Sequence, residues 1–241
     1  MKELQDLKVK IFADGADLKV IREMSQNSLI KGFTTNPTLM RKAGISDYRA
    51  FSLEAISLVS GKPISFEVFS DEFDEMEKQA LEIASWGANV FVKIPVTNTR
   101  REFSGELIRR LAKAGVQLNI TALMTNEQVS LVLSCLSSAT SSFVSVFAGR
   151  VADTGRDPVP LMAEAVRLLK ANPKAELIWA SPRELLNVMQ ADEVGCHIIT
   201  ATSDILNKLS LVGKDLDQYS LDTVKMFYND AKAAGFSIPT K

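Results

Sequence analysis

Residues 89–96 read Asn-Val-Phe-Val-Lys-Ile-Pro-Val, an apolar, β-branched run with one lysine, Lys93, at its centre. A run this continuous is what a strand covered on both faces looks like, and such strands belong to parallel sheets flanked by helices. Working outward, similar runs recur along the chain: Val9 to Asp14, Gly32 to Thr35, Pro63 to Val68, Val90 to Pro95, Val116 to Ala122, Phe143 to Ala148, Ala175 to Ser181 and Cys196 to Ala201. Amphipathic stretches separate them. Residues 71–87 carry apolar Met76, Ala80, Leu81, Ile83 and Ala84 and stop at Gly87; residues 101–115 stop at Gly115 after basic residues that suit a helix C-terminus; residues 157–173 begin with early prolines. Eight strand–helix units predict a closed parallel (β/α)8 barrel, one α/β domain over residues 1–241. An open doubly wound sheet is the alternative, weakened because no GxGxxG follows the first strand. A last helix, from about Leu221 to Ala234, is expected to pack on the barrel or reach a neighbouring subunit.

Composition excludes several functions. The net charge is −1, so no global field draws the chain to nucleic acid or an anionic membrane. The N-terminal MKELQDLKVK lacks the apolar core of a signal peptide, and no run approaches a membrane span. Cys135 and Cys196 read as buried reduced thiols of a cytoplasmic protein. His197 is the sole histidine, which removes multi-histidine zinc sites and HExxH. In its apolar run GCHIIT a structural role is expected. Catalysis must then use lysine, carboxylates, hydroxyls and water.

In barrels of this kind the active site lies at the C-terminal strand ends. The polar residues there are Asp14, Thr34 with Thr35 and Asn36, Glu67, Lys93, Asn119 with Thr121, Ser145 followed by Phe147 and Arg150, Ser181 with Arg183, and Thr200 with Thr202. Lys93 has two readings. Pointed into the barrel, it is partly desolvated, which favours the neutral, nucleophilic amine. Otherwise it snorkels to solvent. Glu67, one strand earlier, forms either a structural ion pair with it or an acid–base partnership. Asp14 reads as a strand-end cap or an acid–base group. Arg150 and Arg183 are surface cations or a fork for an anion.

The motifs GFTTNP, FEV, VKIPVT, LNITAL, SVFAGRVAD and WASPR, in this order over about Val9 to Thr202, resemble the small transaldolase family. The resemblance implies a (β/α)8 barrel that works without metal or organic cofactor. By motif, Lys93 matches the lysine forming a Schiff base with a sugar-phosphate ketone. Asp14 matches the general acid/base, and Glu67 with Thr121 the pair that holds a catalytic water. Thr34, Asn36, Asn119 and Ser145 match groups on the three-carbon dihydroxyacetone unit; Arg150, Ser181 and Arg183 match the phosphate-binding set. The implied donors are fructose 6-phosphate or sedoheptulose 7-phosphate, and the acceptors erythrose 4-phosphate or glyceraldehyde 3-phosphate. A homo-oligomer, decameric or smaller, is also implied. One branch, the fructose-6-phosphate aldolases, has glutamine where this chain has Glu67 and tyrosine where it has Phe147; here both resemble the transaldolases. The alternative expectations are such an aldolase, releasing free dihydroxyacetone, and a transaldolase for a modified, for example sulfonated, sugar. Two departures stand out. Gly15 replaces the usual Ser or Thr after Asp14, and VADTGRDP adds Arg156, expected as an extra cation at the mouth. A barrel kept only as a scaffold would have lost the lysine or the acid, and neither is lost here.

Overall fold

The computed structural model describes residues 4–240. Its elements run β1 (Lys10–Asp14), α1 (Leu18–Gln26), β2 (Ile30–Thr34), α2 (Pro37–Lys42), α3 (Tyr48–Leu58), β3 (Ile64–Glu67), α4 (Phe73–Ser85), β4 (Val90–Pro95), α5 (Gly105–Lys113), β5 (Leu118–Leu123), α6 (Asn126–Leu133), β6 (Ser142–Val146), α7 (Ala148–Ala152), α8 (Val159–Leu169), β7 (Ala175–Trp179), α9 (Leu186–Glu193), β8 (Ile198–Ala201), α10 (Ser203–Leu206) and α11 (Leu216–Ala233). The eight strands are parallel and close into a barrel in sequence order, β8 pairing back to β1. The expected barrel and its extra C-terminal helix are therefore present, with shifted edges. β2 starts earlier, at Ile30, a start that the exposed Lys31 hides by interrupting the apolar pattern. β6 and β7 end sooner than expected, at Val146 and Trp179, so Ala148 opens α7 and Ser181 lies on the following loop.

Alternation along the strands divides the core in two. Outward residues pack under the helices, for example Val92 and Ile94 of β4 and Leu177 and Trp179 of β7, all buried. Inward residues fill the barrel in layers. The lower part is apolar: Phe12, Phe91, Phe143, Ile178 and Ile198 form one cluster. Phe91 and Phe143 stack at 3.9 Å between centroids, and Phe12 meets Phe143 edge-on at 5.8 Å. Gly32 belongs to this plug, since a Cβ there would lie 2.5 Å from the Phe12 ring. A ring packed this tightly is worth about 3–5 kcal/mol against truncation to alanine. The plug closes the barrel from below, so polar groups in the layers above share one opening.

His197 has the structural role expected of it. Its Nδ1 accepts the Leu177 amide at 3.0 Å, and burial holds its pKa below the ordinary histidine value, which keeps the accepting neutral ring. Cys135 and Cys196 are free and buried, with the Cys196 thiol pushed up to about 12 by desolvation. The helix assignments at residues 71–87 hold, but Leu81, expected in the core, is exposed. α11 begins earlier than expected, at Leu216, where Asp215 caps it by accepting the Gln218 amide. It buries none of its residues against the barrel, and Leu216, Val224, Phe227 and Tyr228 are exposed.

Candidate active site

A cavity of about 640 Å³ opens at the C-terminal end of the barrel. It is lined by every residue singled out above as catalytic or substrate-binding: Lys93, Asp14, Glu67 and Thr121, with Thr34, Asn36, Asn119, Ser145, Phe147, Arg150, Ser181 and Arg183. Strand register explains the convergence. Glu67 pairs with Lys93, Lys93 with Asn119, and Asp14 with Thr34, so inward positions of adjacent strands stand at one level.

Lys93 does not snorkel. It is 6% exposed, and its ammonium contacts Glu67 Oε2 at 2.9 Å and donates to the Thr35 carbonyl at 2.8 Å. Two of its three donors are thus held, and the amine sits against a carboxylate able to take its proton. Desolvation would make an unpaired ammonium costly here; Glu67 offsets that cost.

Asp14 sits across the floor. Thr34 Oγ1 donates to its Oδ1 at 2.7 Å, and Asn36 Nδ2 approaches its Oδ2 at 3.4 Å. Burial raises the carboxyl above its ordinary range, opposed by the charge of Lys93 and the Thr34 hydrogen bond and reinforced by Glu67. Thr34 and Thr200 hydroxyls meet at 2.5 Å, so Thr200 can donate to Thr34 while Thr34 donates to Asp14. Asn36 also caps α2, accepting the Leu39 amide at 3.0 Å with Pro37 at the first helical turn. The TTNP sequence therefore does two jobs: it turns the strand into a helix and aims an amide at Asp14.

Asn119 is locked between neighbours, donating to Ser65 Oγ at 3.0 Å and accepting from Ser145 Oγ at 2.7 Å. Thr121 Oγ1 is buried without a protein partner, which leaves its hydrogen-bonding capacity for a substrate or water. Two cavity residues, Ala122 and Ser181, adopt φ of +66° and +60°. Such backbone is costly for a residue with a Cβ and tends to gather at functional sites.

The cationic side is built differently. Arg150 is exposed on the short α7, its guanidinium 5.8 Å from the Phe147 ring centroid. Arg183 donates through Nε to Asp153 Oδ1 at 2.8 Å and through a terminal nitrogen to Oδ2, and this fork holds the Asp153 carboxyl below its ordinary range. Gly149 is indispensable at this junction, because a Cβ there would come within 1.6 Å of the Ser181 carbonyl oxygen. Asn187 holds the loop by accepting the amides of Arg183 and Glu184. Arg156 corrects the expectation above: it is not among the cavity residues, and it donates to Thr154 instead. Among the described residues, no group of three or more His, Cys, Asp or Glu is placed to hold a metal ion. Nor is any helix among them long and apolar enough to cross a membrane.

The sequence matches the Transaldolase/Fructose-6-phosphate aldolase family over residues 11–238. The chain belongs to that family. It is thus a transaldolase-family enzyme, of the class I aldolase kind. Among the family's members, a probable transaldolase of Dehalococcoides mccartyi is 36% identical over 202 residues, which span 83% of this chain and 90% of that protein. A probable transaldolase of Herpetosiphon aurantiacus is 30% identical over 218 residues, spanning 89% and 94%. Solved structures extend the likeness at the level of fold alone. Dihydrodipicolinate synthase from Rhodopseudomonas palustris superposes with a TM-score of 0.59 at 12% identity, covering 95% of this chain and 81% of that one. 3-Dehydroquinate dehydratase from Geobacillus kaustophilus gives 0.58 at 13% identity, covering 85% and 91%.

Proposed function

We propose that this transaldolase-family enzyme moves a dihydroxyacetone unit from a ketose phosphate to an aldose phosphate through a Schiff base on Lys93. The observation that carries the reading is the Lys93 amine, buried at the cavity floor and in contact with both Glu67 and the Thr35 carbonyl. Glu67 takes the ammonium proton, the free amine attacks the ketone at C2, and water leaves as the imine forms. The protonated imine is an electron sink, so the C3–C4 bond breaks as Asp14 removes the C4 hydroxyl proton, leaving an enamine on Lys93. The acceptor aldehyde then takes the enamine carbon, and Asp14 returns the proton. Thr121 and Glu67 hold the water that forms and hydrolyses the imine. Thr34, Asn36, Asn119 and Ser145 meet the hydroxyls of the three-carbon unit, while Arg150, Ser181 and Arg183 take the phosphate.

Fructose 6-phosphate or sedoheptulose 7-phosphate as donor, with erythrose 4-phosphate or glyceraldehyde 3-phosphate as acceptor, suits a cavity with hydroxyl-binding groups at its floor and two arginines at its rim. Glu67 and Phe147 support transfer over release of free dihydroxyacetone: the carboxylate serves the imine steps, and the Phe147 ring lines the cavity without a hydroxyl to guide early hydrolysis. The exposed apolar residues of α11 support an assembly of several copies. The buried free thiols suit a reducing, cytoplasmic setting. A donor–acceptor panel with product detection tests the reading. It predicts a new ketose phosphate when both sugars are present and little free dihydroxyacetone with donor alone. Rapid release without acceptor would contradict it.

A further inference from the structure

Tyr48 is absent from every motif above, yet it touches the strand that carries Glu67. Its hydroxyl donates to the Glu67 carbonyl oxygen at 2.9 Å and accepts the Glu67 amide at 2.9 Å. One oxygen thus satisfies both backbone groups of one residue. The reason lies in the sheet. β2 and β3 pair only at Phe33–Ile64 and Thr34–Ser65, and the backbone bond nearest Glu67 runs from the Thr35 amide to the Ser65 carbonyl. Beyond that point the β2 chain turns at Asn36 into α2, led by Pro37, which has no N–H to offer. Glu67, two residues after Ser65, faces the same side and would be left with an unpaired donor and acceptor. The phenol stands where the missing strand would be.

The ring is seated by aromatic neighbours. It meets Phe69 at 4.5 Å, Trp86 at 5.8 Å and Phe66 at 6.3 Å, all edge-on, and Asp47 caps α3 immediately before it by accepting the Ala50 amide. Burial raises the phenol pKa far above its ordinary value, so the hydroxyl stays protonated as the donor this geometry requires.

We infer that Tyr48 is a positioning residue for the imine steps: it fixes the backbone of Glu67 so that its carboxylate stays against the Lys93 amine. The inference rests on the Schiff-base reading above. Sub-ångström placement matters for proton transfer between held groups, and a strand end paired on the β4 side alone is freer to lose it. The role is specific. Asp14 and Thr34 are on β1 and β2 and are held by their own bonds to each other and to Thr200, so carbon–carbon cleavage in an imine already formed is affected less.

The test is Tyr48→Phe, which keeps the ring and removes the oxygen. The readout is the rate of borohydride-trappable imine formation with saturating fructose 6-phosphate. It is expected to fall about ten-fold, with kcat falling alongside and KM changing by less than about two-fold. In a Glu67→Gln background the same change is expected to add little, because both substitutions act on one step. Incorporating p-aminophenylalanine at position 48 keeps a donor of similar reach and is expected to recover part of the lost rate; it also serves if the phenylalanine variant does not fold. An unchanged imine rate with a lowered Tm would overturn the inference and leave Tyr48 a packing residue. So would full additivity with Glu67→Gln. If the wild-type enzyme itself is not trapped on Lys93, the failure belongs to the Schiff-base reading instead.

Discussion

The floor and the rim of the cavity solve different problems. At the floor, Lys93, Glu67, Asp14, Thr34 and Asn119 sit on strands, and each is held by groups from an adjacent strand or its end. At the rim, Arg150 and Arg183 sit on a short helix and a loop, exposed, and the salt bridge to Arg183 comes from a half-exposed aspartate. Electrostatic interactions are strong where water is excluded and weak where it is not. The floor is therefore organised to change a bond, and the rim to catch an anion loosely enough to release it. Substitutions at the floor should act on kcat, and those at the rim on KM.

The largest effect is expected for Lys93→Met, which removes the nucleophile and leaves Glu67 without its cation. Turnover should fall by at least about a thousand-fold in the donor–acceptor assay. A residual rate within ten-fold of wild type would erase the distinction between floor and rim.

Asp14→Asn comes next and tests two things at once. Loss of the acid–base group should lower kcat by about 10²–10⁴-fold. The folded-state pKa of Asp14 is raised, so its contribution to stability is present below the ordinary carboxylate range and lost as pH rises through the folded value. At neutral pH the buried carboxylate is therefore a net cost. Asparagine still accepts from Thr34, so the variant should melt higher, by a few degrees. A lower Tm at pH 7, measured by calorimetry, would contradict this. The same raised value predicts that wild-type kcat falls on the acidic side earlier than an exposed aspartate would dictate.

The rim effects are smaller. Arg183→Ala should raise KM for a phosphorylated ketose by about ten-fold or more while kcat changes little, as expected for a charged hydrogen-bond pair. Smallest is Asp153→Asn. Asp153 fills the guanidinium fork that a phosphate would use, so its neutralisation should lower KM for the phosphorylated donor by about two- to five-fold, the scale of an exposed ion pair. A raised KM would show that Asp153 presents Arg183 to the anion instead of competing for it.

The floor was the more legible of the two in the sequence, for a physical reason. A lone polar residue in an apolar strand has two faces to choose from, and alternation settles which one meets the cavity. That logic put Asn119 with Thr121, and Ser145 with Phe147, on one face each; Asp14, Glu67 and Lys93 kept two readings apiece, between which the family resemblance chose. Alternation could not place Tyr48, whose position at the start of α3 looks like any aromatic on an amphipathic helix; the gap it fills exists only because β2 and β3 part company in three dimensions. Nor could it place Thr35, whose carbonyl rather than side chain meets Lys93. At the rim, sequence reading depended on loop geometry that has no period. It took Arg156 for a mouth cation, and nothing in the pattern announced Asp153 as the occupant of Arg183. Gly149 carried a signal, a glycine beside the arginine, but its meaning depends on the Ser181 carbonyl packed against it.

The central claim is that Lys93 carries the substrate, and reductive trapping tests it most directly. Enzyme treated with borohydride in the presence of fructose 6-phosphate, then digested and analysed by mass spectrometry, should carry a reduced three-carbon adduct on the peptide containing Lys93, and the Lys93→Met enzyme should carry none. An adduct on another lysine, or none on active wild-type enzyme, would contradict the account.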